Sequence, residues 1–329
     1  MRTVAIVNQK GGVGKTTTTC NLGAALARRG QRVLLVDLDA QAHLTFHLGV
    51  DNTKTAATSY DLMTGRGTVA EIIVERGPGL SLVPSHIDLA GAEVELVTAL
   101  AREHILREAL APCGEKYDYC LIDCPPSLGL LTLNALVAAQ EILVTLQPHF
   151  LALQGMTKLI ETARLVRQRL NPALRITGLV FCMYDGRATL SSEVIADVEQ
   201  FFSWASTADN PLLAEARVLR TRVRRNIKLA EAPGFGQTIF EYAPASHGAE
   251  DYEALAGEIL DGPPSVKETA TATAETTTPS PYPLPSRERG EEATEEKTSS
   301  PSSAGGLISK NNSDNTPNPE GAAHGSPVA

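Results

Sequence analysis

Apolar residues gather in short continuous runs over the first 185 residues: TVAIV at 3–7, RVLLVDLD at 32–39, YCLIDC at 119–124, EILVTLQ at 141–147 and ITGLVFCMY at 176–184. Runs of this length without polar alternation are the pattern of strands buried on both faces of a parallel sheet. The stretches between them carry helical spacing. TTTTCNLGAALARRG at 16–30 follows the first run and ends at Gly30, the residue type that closes a helix in the left-handed conformation. Strand, helix and strand at this rhythm predict an α/β fold with a doubly wound, mostly parallel sheet. From Gly262 the pattern stops. Pro, Ser, Thr, Glu and Asn dominate, with almost no branched apolar or aromatic side chains. Such a segment cannot bury enough surface to offset its ordering entropy, which predicts an ordered domain over 1–261 and a disordered tail over 262–329.

Composition narrows the class. At 43% hydrophobic and 20% charged residues, the chain has the balance of a soluble globular protein. The apolar runs fall far short of the ~20 residues that a membrane helix needs, and a strand begins within three residues of Met1, so the reading is cytoplasmic with no membrane partner. Cysteines at 20, 113, 120, 124 and 182 show neither C-x-x-C nor zinc spacing and read as reduced thiols. The formal charge is −9; residues 262–329 hold 5 basic and 9 acidic side chains, and the remaining 261 hold 24 and 29. A generally basic nucleic-acid binder is excluded, and any such surface must be local. One run qualifies. Residues 217–230 contain Arg217, Arg220, Arg222, Arg224, Arg225 and Lys228 and no acid, a patch suited to phosphate backbones. It lacks interleaved aromatics, which favours duplex over single-strand contact. The competing reading is a solvated, salt-paired surface.

The densest chemistry lies at residues 10–17, KGGVGKTT, directly after a strand and opening a helix. That context makes a phosphate-binding P-loop credible. Gly11, Gly12 and Gly14 let the backbone N–H groups, including those of Val13 and Thr17, curl around phosphates, and the helix N-terminus adds partial positive charge. Lys15 would reach the β- and γ-phosphates of ATP, and the Thr16 hydroxyl would ligate Mg²⁺. Gln9 stands where the usual loop has its first glycine, and Lys10 adds a second lysine. Two acids end or nearly end strands, Asp39 and Asp123, at the carboxyl edge where ligands bind in such sheets. Asp123 reads as the acid that holds Mg²⁺ through water. Asp39 reads as the residue that positions the attacking water, with Asp37 as its rival.

Together KGGVGKTTTTCNLG, VLLVDLDAQ, LAGAEVEL, YCLIDCPPSLGLLTLNAL and NIKLAEAPGFG resemble the ParA family of DNA-partitioning ATPases, its Soj-like branch in particular, over residues 2 to about 260. The resemblance implies a deviant Walker A loop whose extra lysine, Lys10, crosses to the partner's nucleotide in an ATP-bound homodimer. It also implies slow ATP hydrolysis stimulated by a ParB-like centromere-binding protein. Non-specific binding of double-stranded DNA follows from it, and so does a nucleoid-associated location. It places Gly12 where the partner subunit approaches too closely for a side chain, and Arg187 and Lys228 at DNA-binding positions beside Arg217, Arg220 and Arg222. Departures are visible. Ala40-Gln41 replaces Pro-Gln, and Arg224-Arg225-Asn226 replaces the Pro-Arg-Asn segment that flanks adenine, which keeps Asn226 as a base contact and puts Arg224 in place of proline. An insertion lies within 203–216. Other readings of the same loop are a MinD-like division-site regulator, which needs a C-terminal amphipathic membrane helix, an iron–sulfur reductase, a tyrosine autokinase and a metabolic synthetase.

Overall fold

The computed structural model describes residues 1–149, 152–186, 189–207 and 210–262. Arg187 and all of the tail beyond Gly262 therefore lie outside the described residues. In chain order the elements are β1 (Arg2–Val7), α1 (Lys15–Arg28), β2 (Val33–Asp37), α2 (His43–His47), α3 (Ser59–Met63), α4 (Val69–Ile72), β3 (Val74–Gly77), β4 (Leu80–Val83), α5 (Leu89–Glu95) and α6 (Ile105–Leu110). They continue as β5 (Tyr119–Asp123), α7 (Leu130–Ala138), β6 (Glu141–Leu146), α8 (Ala152–Arg169), β7 (Arg175–Tyr184), α9 (Thr189–Thr207), β8 (Val218–Arg224), α10 (Ile227–Glu231), α11 (Ile239–Tyr242) and α12 (His247–Asp261).

The strands form one sheet in the order β3-β4-β2-β5-β1-β6-β7-β8. Every pairing is parallel except the antiparallel edge pair β3–β4. The continuous apolar runs are explained by this placement. In β1, Val4 and Ile6 enter one core with Leu22, Leu26, Tyr252 and Leu255, while Ala5 and Val7 enter the other with Leu136, Leu159 and Val166. Helices thus cover both faces, so no strand face in the centre needs a polar residue. The doubly wound expectation holds.

Local details set where the site forms. Gly23 of α1 lets the helix lie close on the sheet, because a Cβ there would sit 2.6 Å from Leu35. Strand β2 stops at Asp37, two residues earlier than the run predicts, so Asp39 lies on the loop after the strand. The basic run also proves to be largely strand. Val218–Arg224 pairs with β7 as the sheet's last strand and turns Leu219 and Val223 into the core. Its outer edge is covered by α12. Glu258 accepts from the backbone N–H groups of Arg220 at 2.9 Å and Thr221 at 3.0 Å, and Asp251 accepts from that of Arg224 at 2.8 Å. These carboxylates satisfy ladder donors that an edge strand otherwise presents to another chain.

Candidate functional site

The carboxyl ends of β1, β2 and β5 meet the start of α1 around an open cleft of about 1170 Å³. Asn8 follows β1 and ties the loop to the sheet: its Nδ2 donates to Thr145 O at 2.6 Å, and its Oδ1 accepts from Lys10 N at 2.9 Å. Gly12 and Gly14 adopt left-handed φ values of 71° and 88°, which glycine reaches without a steric penalty. A Cβ on Gly14 would also press on Cys182, at 3.2 Å. Val13 is buried, so only its backbone can serve a ligand. Lys15 opens α1 with its side chain buried and its ammonium donating to Lys10 O at 3.2 Å. Burial lowers its pKa, and nearby Asp123 acts against that shift.

The acids separate into different jobs. Asp37 and Asp123 are fully buried and stand opposite each other on β2 and β5. Asp37 accepts from Thr45 Oγ1 at 2.7 Å, Thr45 N at 2.9 Å and Asp39 N at 3.1 Å. It shapes the loop into α2, and its oxygens are occupied. Asp39 lines the cleft, and among the described residues its carboxylate accepts from Gln41 N alone, at 3.0 Å on Oδ1. Of the two rivals, Asp39 is the one with access to a ligand. Asp123 accepts from Thr16 Oγ1 at 2.7 Å and Thr19 Oγ1 at 3.2 Å. Burial pushes both Asp37 and Asp123 well above the usual carboxylate range, and for Asp123 the charge of Asp37 adds to it. A buried carboxylate raised in this way is relieved by a cation. Among the described residues no group of three His, Cys, Asp or Glu side chains could hold a metal. The donor set that fits a hard ion is the Thr16 hydroxyl beside Asp123, completed by ligand oxygens.

Asn226 lies on the cleft's other wall and caps α10, accepting from Lys228 N at 2.8 Å. Arg224 also lines the cleft, but its guanidinium is committed to α12, 2.7 Å from Asp251 Oδ1 and 3.0 Å from Glu250 Oε2. Met183, on the same wall, holds a left-handed φ of 54°, strained for a residue with a side chain. Lys10 is exposed and takes part in none of the ion pairs among the described residues.

The acid-free look of the basic run is corrected by the fold. Arg220 lies 3.9 Å from Glu258, Arg222 3.6 Å from Glu199 and Lys228 2.9 Å from Glu231. Arg217 donates to Glu258 O at 3.3 Å. The missing aromatics also arrive from elsewhere: Arg222 lies over Tyr184 and Lys228 over Tyr242. Only Arg225 of the run is exposed without an ion pair among the described residues. Sequence reasoning missed the rest of the cleft lining, including Phe46, His47, Glu93 and Tyr252. Thr19 had a legible signal, lying one helical turn after Lys15 on the same face.

A glycine loop between a central strand and a helix, with a buried lysine and a threonine of the helix's first turn paired to an aspartate at a strand end, defines a P-loop nucleotide-binding protein. A family model described as an AAA domain matches residues 1–176. The sporulation initiation inhibitor protein Soj of Bacillus subtilis is 44% identical over 257 residues, covering 78% of this chain and 97% of that protein. The chromosome partitioning protein ParA of Caulobacter vibrioides is 42% identical over 263 residues, covering 79% and 94%. Among solved structures, cobyrinic acid a,c-diamide synthase from Mycobacterium smegmatis with bound ADP and magnesium superposes with a TM-score of 0.67 at 38% identity, covering 83% of this chain and 100% of that one. The chain belongs to the Soj/ParA family of partitioning ATPases. No helix among the described residues is long and apolar enough to cross a membrane.

Proposed function

We propose that this protein hydrolyses ATP in the cleft and uses the ATP-bound state to hold DNA during segregation of a chromosome or plasmid. The observation that carries the reading is the convergence of Lys15, Thr16 and Asp39 on one cleft, with Asp123 buried behind Thr16 and accepting from its hydroxyl. The loop N–H groups and Lys15 would cradle the β- and γ-phosphates. Thr16 would hold Mg²⁺ directly and Asp123 through water, and the ion would neutralise charge on the transferring phosphoryl group. Asp39 would orient the water that attacks the γ-phosphorus. Asn226 would contact the base.

Two features favour a homodimer around the nucleotide. Lys10 is exposed and pairs with no acid among the described residues. Gly12 has a left-handed φ of 71° and no neighbour that a Cβ would strike within 4 Å, which leaves that side of the loop open to close approach by a partner subunit. A lysine delivered in trans would act on the partner's phosphates as an arginine finger does. DNA contact would be non-specific, through Arg225 together with Arg187, Arg217, Arg220, Arg222 and Lys228. A ParB-like centromere-binding protein would stimulate turnover, in a cytoplasmic, nucleoid-associated setting.

The test is phosphate release by the full-length chain with Mg²⁺-ATP, run beside a duplex-DNA shift and vesicle sedimentation with and without nucleotide. ATP-dependent binding of unrelated duplexes supports the reading. ATP-dependent vesicle binding without DNA binding would replace it with a membrane-acting, MinD-like one.

A further inference from the structure

Arg224 stands at the end of β8, two residues before Asn226, where the family pattern has proline. A proline there fixes φ and brings no N–H that needs an acceptor. Arginine does the opposite, and the structure answers both consequences with one helix. The Arg224 N–H donates to Asp251 Oδ2 at 2.8 Å, and Nε and Nη2 donate to Asp251 Oδ1 at 3.0 and 2.7 Å. Nη2 also donates to Glu250 Oε2 at 3.0 Å, and Glu250 is itself held by His247 Nδ1 at 3.0 Å. Asp251 is 7% exposed, so the carboxylate of this charge-assisted fork is buried while the Arg224 side chain stays 41% exposed. The next residue on α12, Tyr252, is buried and places its hydroxyl 3.1 Å from Thr18 Oγ1. Thr18 N donates in turn to Gly14 O of the phosphate loop at 2.9 Å. Adjacent residues of one helix therefore hold the two walls of the cleft.

We infer that Asp251 and Arg224 form a positioning clamp that sets the base-side wall at Asn226 against the phosphate loop, replacing a rigid proline with an ion pair. The clamp rests on the reading of the cleft as an adenine-nucleotide site. It touches the nucleotide only through the wall it fixes, so it acts on the base and not on the phosphates. Because its attraction is ionic, it weakens with salt where it is exposed, on the Glu250 side.

The experiment is calorimetric titration of the full-length protein with Mg²⁺-ADP and, separately, with Mg²⁺-tripolyphosphate, which has no base. Asp251→Asn should weaken ADP about tenfold, the scale of one charge-assisted hydrogen bond, and leave tripolyphosphate unchanged. Adding Arg224→Pro to Asp251→Asn should restore ADP affinity, since proline needs no acceptor. Equal losses for both ligands in Asp251→Asn, or no recovery in the double variant while its melting temperature matches wild type, would overturn the clamp. If wild type binds neither ligand, the nucleotide reading fails instead, and the two failures are told apart by that first titration.

Discussion

The two ends of the sheet handle buried carboxylates in opposite ways. At the amino end, Glu141 is 3% exposed and fully matched: Arg2 grips it with two contacts of 2.7 Å, Thr177 donates at 2.9 Å and Arg175 at 3.4 Å. Burial alone would raise its pKa, yet the Arg2 contacts prevail and hold it below the usual carboxylate range. At the carboxyl end, Asp37 and Asp123 face each other with threonine hydroxyls and no bidentate arginine, and both are pushed up. The amino end joins strands β1, β6 and β7. The carboxyl end tolerates uncompensated negative charge next to a phosphate-loop lysine, the arrangement of a site completed by a ligand.

The largest effect should come from breaking the carboxyl end. Asp123→Asn should reduce ATP turnover by about a thousandfold, because the metal's share of charge stabilisation is worth several kcal/mol. The melting temperature of the nucleotide-free protein should hold or rise. A carboxylate whose folded pKa is raised disfavours folding increasingly as pH climbs from its unfolded value near 4 toward its folded one. The stabilisation by Asn should therefore be absent below about pH 4 and grow toward neutrality. Melting curves across that range, beside phosphate-release rates, check both. A variant that loses stability at pH 7.5 would mean that Asp123 is structural.

Next in size are the two residues that separate hydrolysis from binding. Asp39→Ala should lower turnover by about a hundredfold or more while ATP still binds, since the loop and the Thr16 hydroxyl are untouched. Size exclusion with ATP should show a persistent dimer. Lys10→Ala should retain ATP binding and lose stimulated turnover on a similar scale. Wild-type rates in the Lys10 variant would remove the in-trans role.

Glu141→Gln tests the other end. Removing one member of a buried pair leaves Arg2 uncompensated and should cost about 3 kcal/mol of stability, with turnover per folded molecule unchanged at 25 °C. The sign is the reverse of that at Asp123. A depressed folded pKa contributes stability that is complete above the unfolded value of about 4.5 and is lost as pH falls through the folded value. The gap between wild type and Glu141→Gln should narrow on acidification, and a gap that widens would contradict the pairing.

How much of this the sequence disclosed follows from the range of the interactions. The central strands and the phosphate loop are local patterns, continuous apolar runs and a glycine-lysine turn, and they were legible. Strands β3 and β4 are four residues each at an antiparallel edge, too short for a periodic signal. Strand β8 did carry one, since Leu219, Thr221 and Val223 alternate with Arg220, Arg222 and Arg224, but the charges drew attention from the period. The pairing of those arginines was illegible because their acids lie on other elements, Glu199 on α9 and Asp251 and Glu258 on α12. The sequence already favours Asp39, since Asp37 lies deeper in the strand, and the structure adds that Thr45 occupies Asp37. Counting charge along the chain registers composition, whereas the surface depends on which charges remain unpaired.

That distinction gives the smallest and most pointed test. If the basic run binds duplex DNA, each phosphate contact that releases a counterion adds roughly 0.9 to the slope of log affinity against log salt. Arg225 is exposed with no ion pair among the described residues, so its cation is available without breaking anything. Arg222 is already 3.6 Å from Glu199 and lies over Tyr184, so using it on DNA means giving up a protein contact first. Arg225→Ala should therefore lower the slope by roughly 0.9 per protomer in contact, while Arg222→Ala should lower it by less than half as much. Duplex titrations with ATP at several salt concentrations measure both slopes. Equal changes would show that the ion pairs open on DNA and that the whole run acts as one surface, whereas no change at Arg225 would move the DNA interface away from β8 altogether.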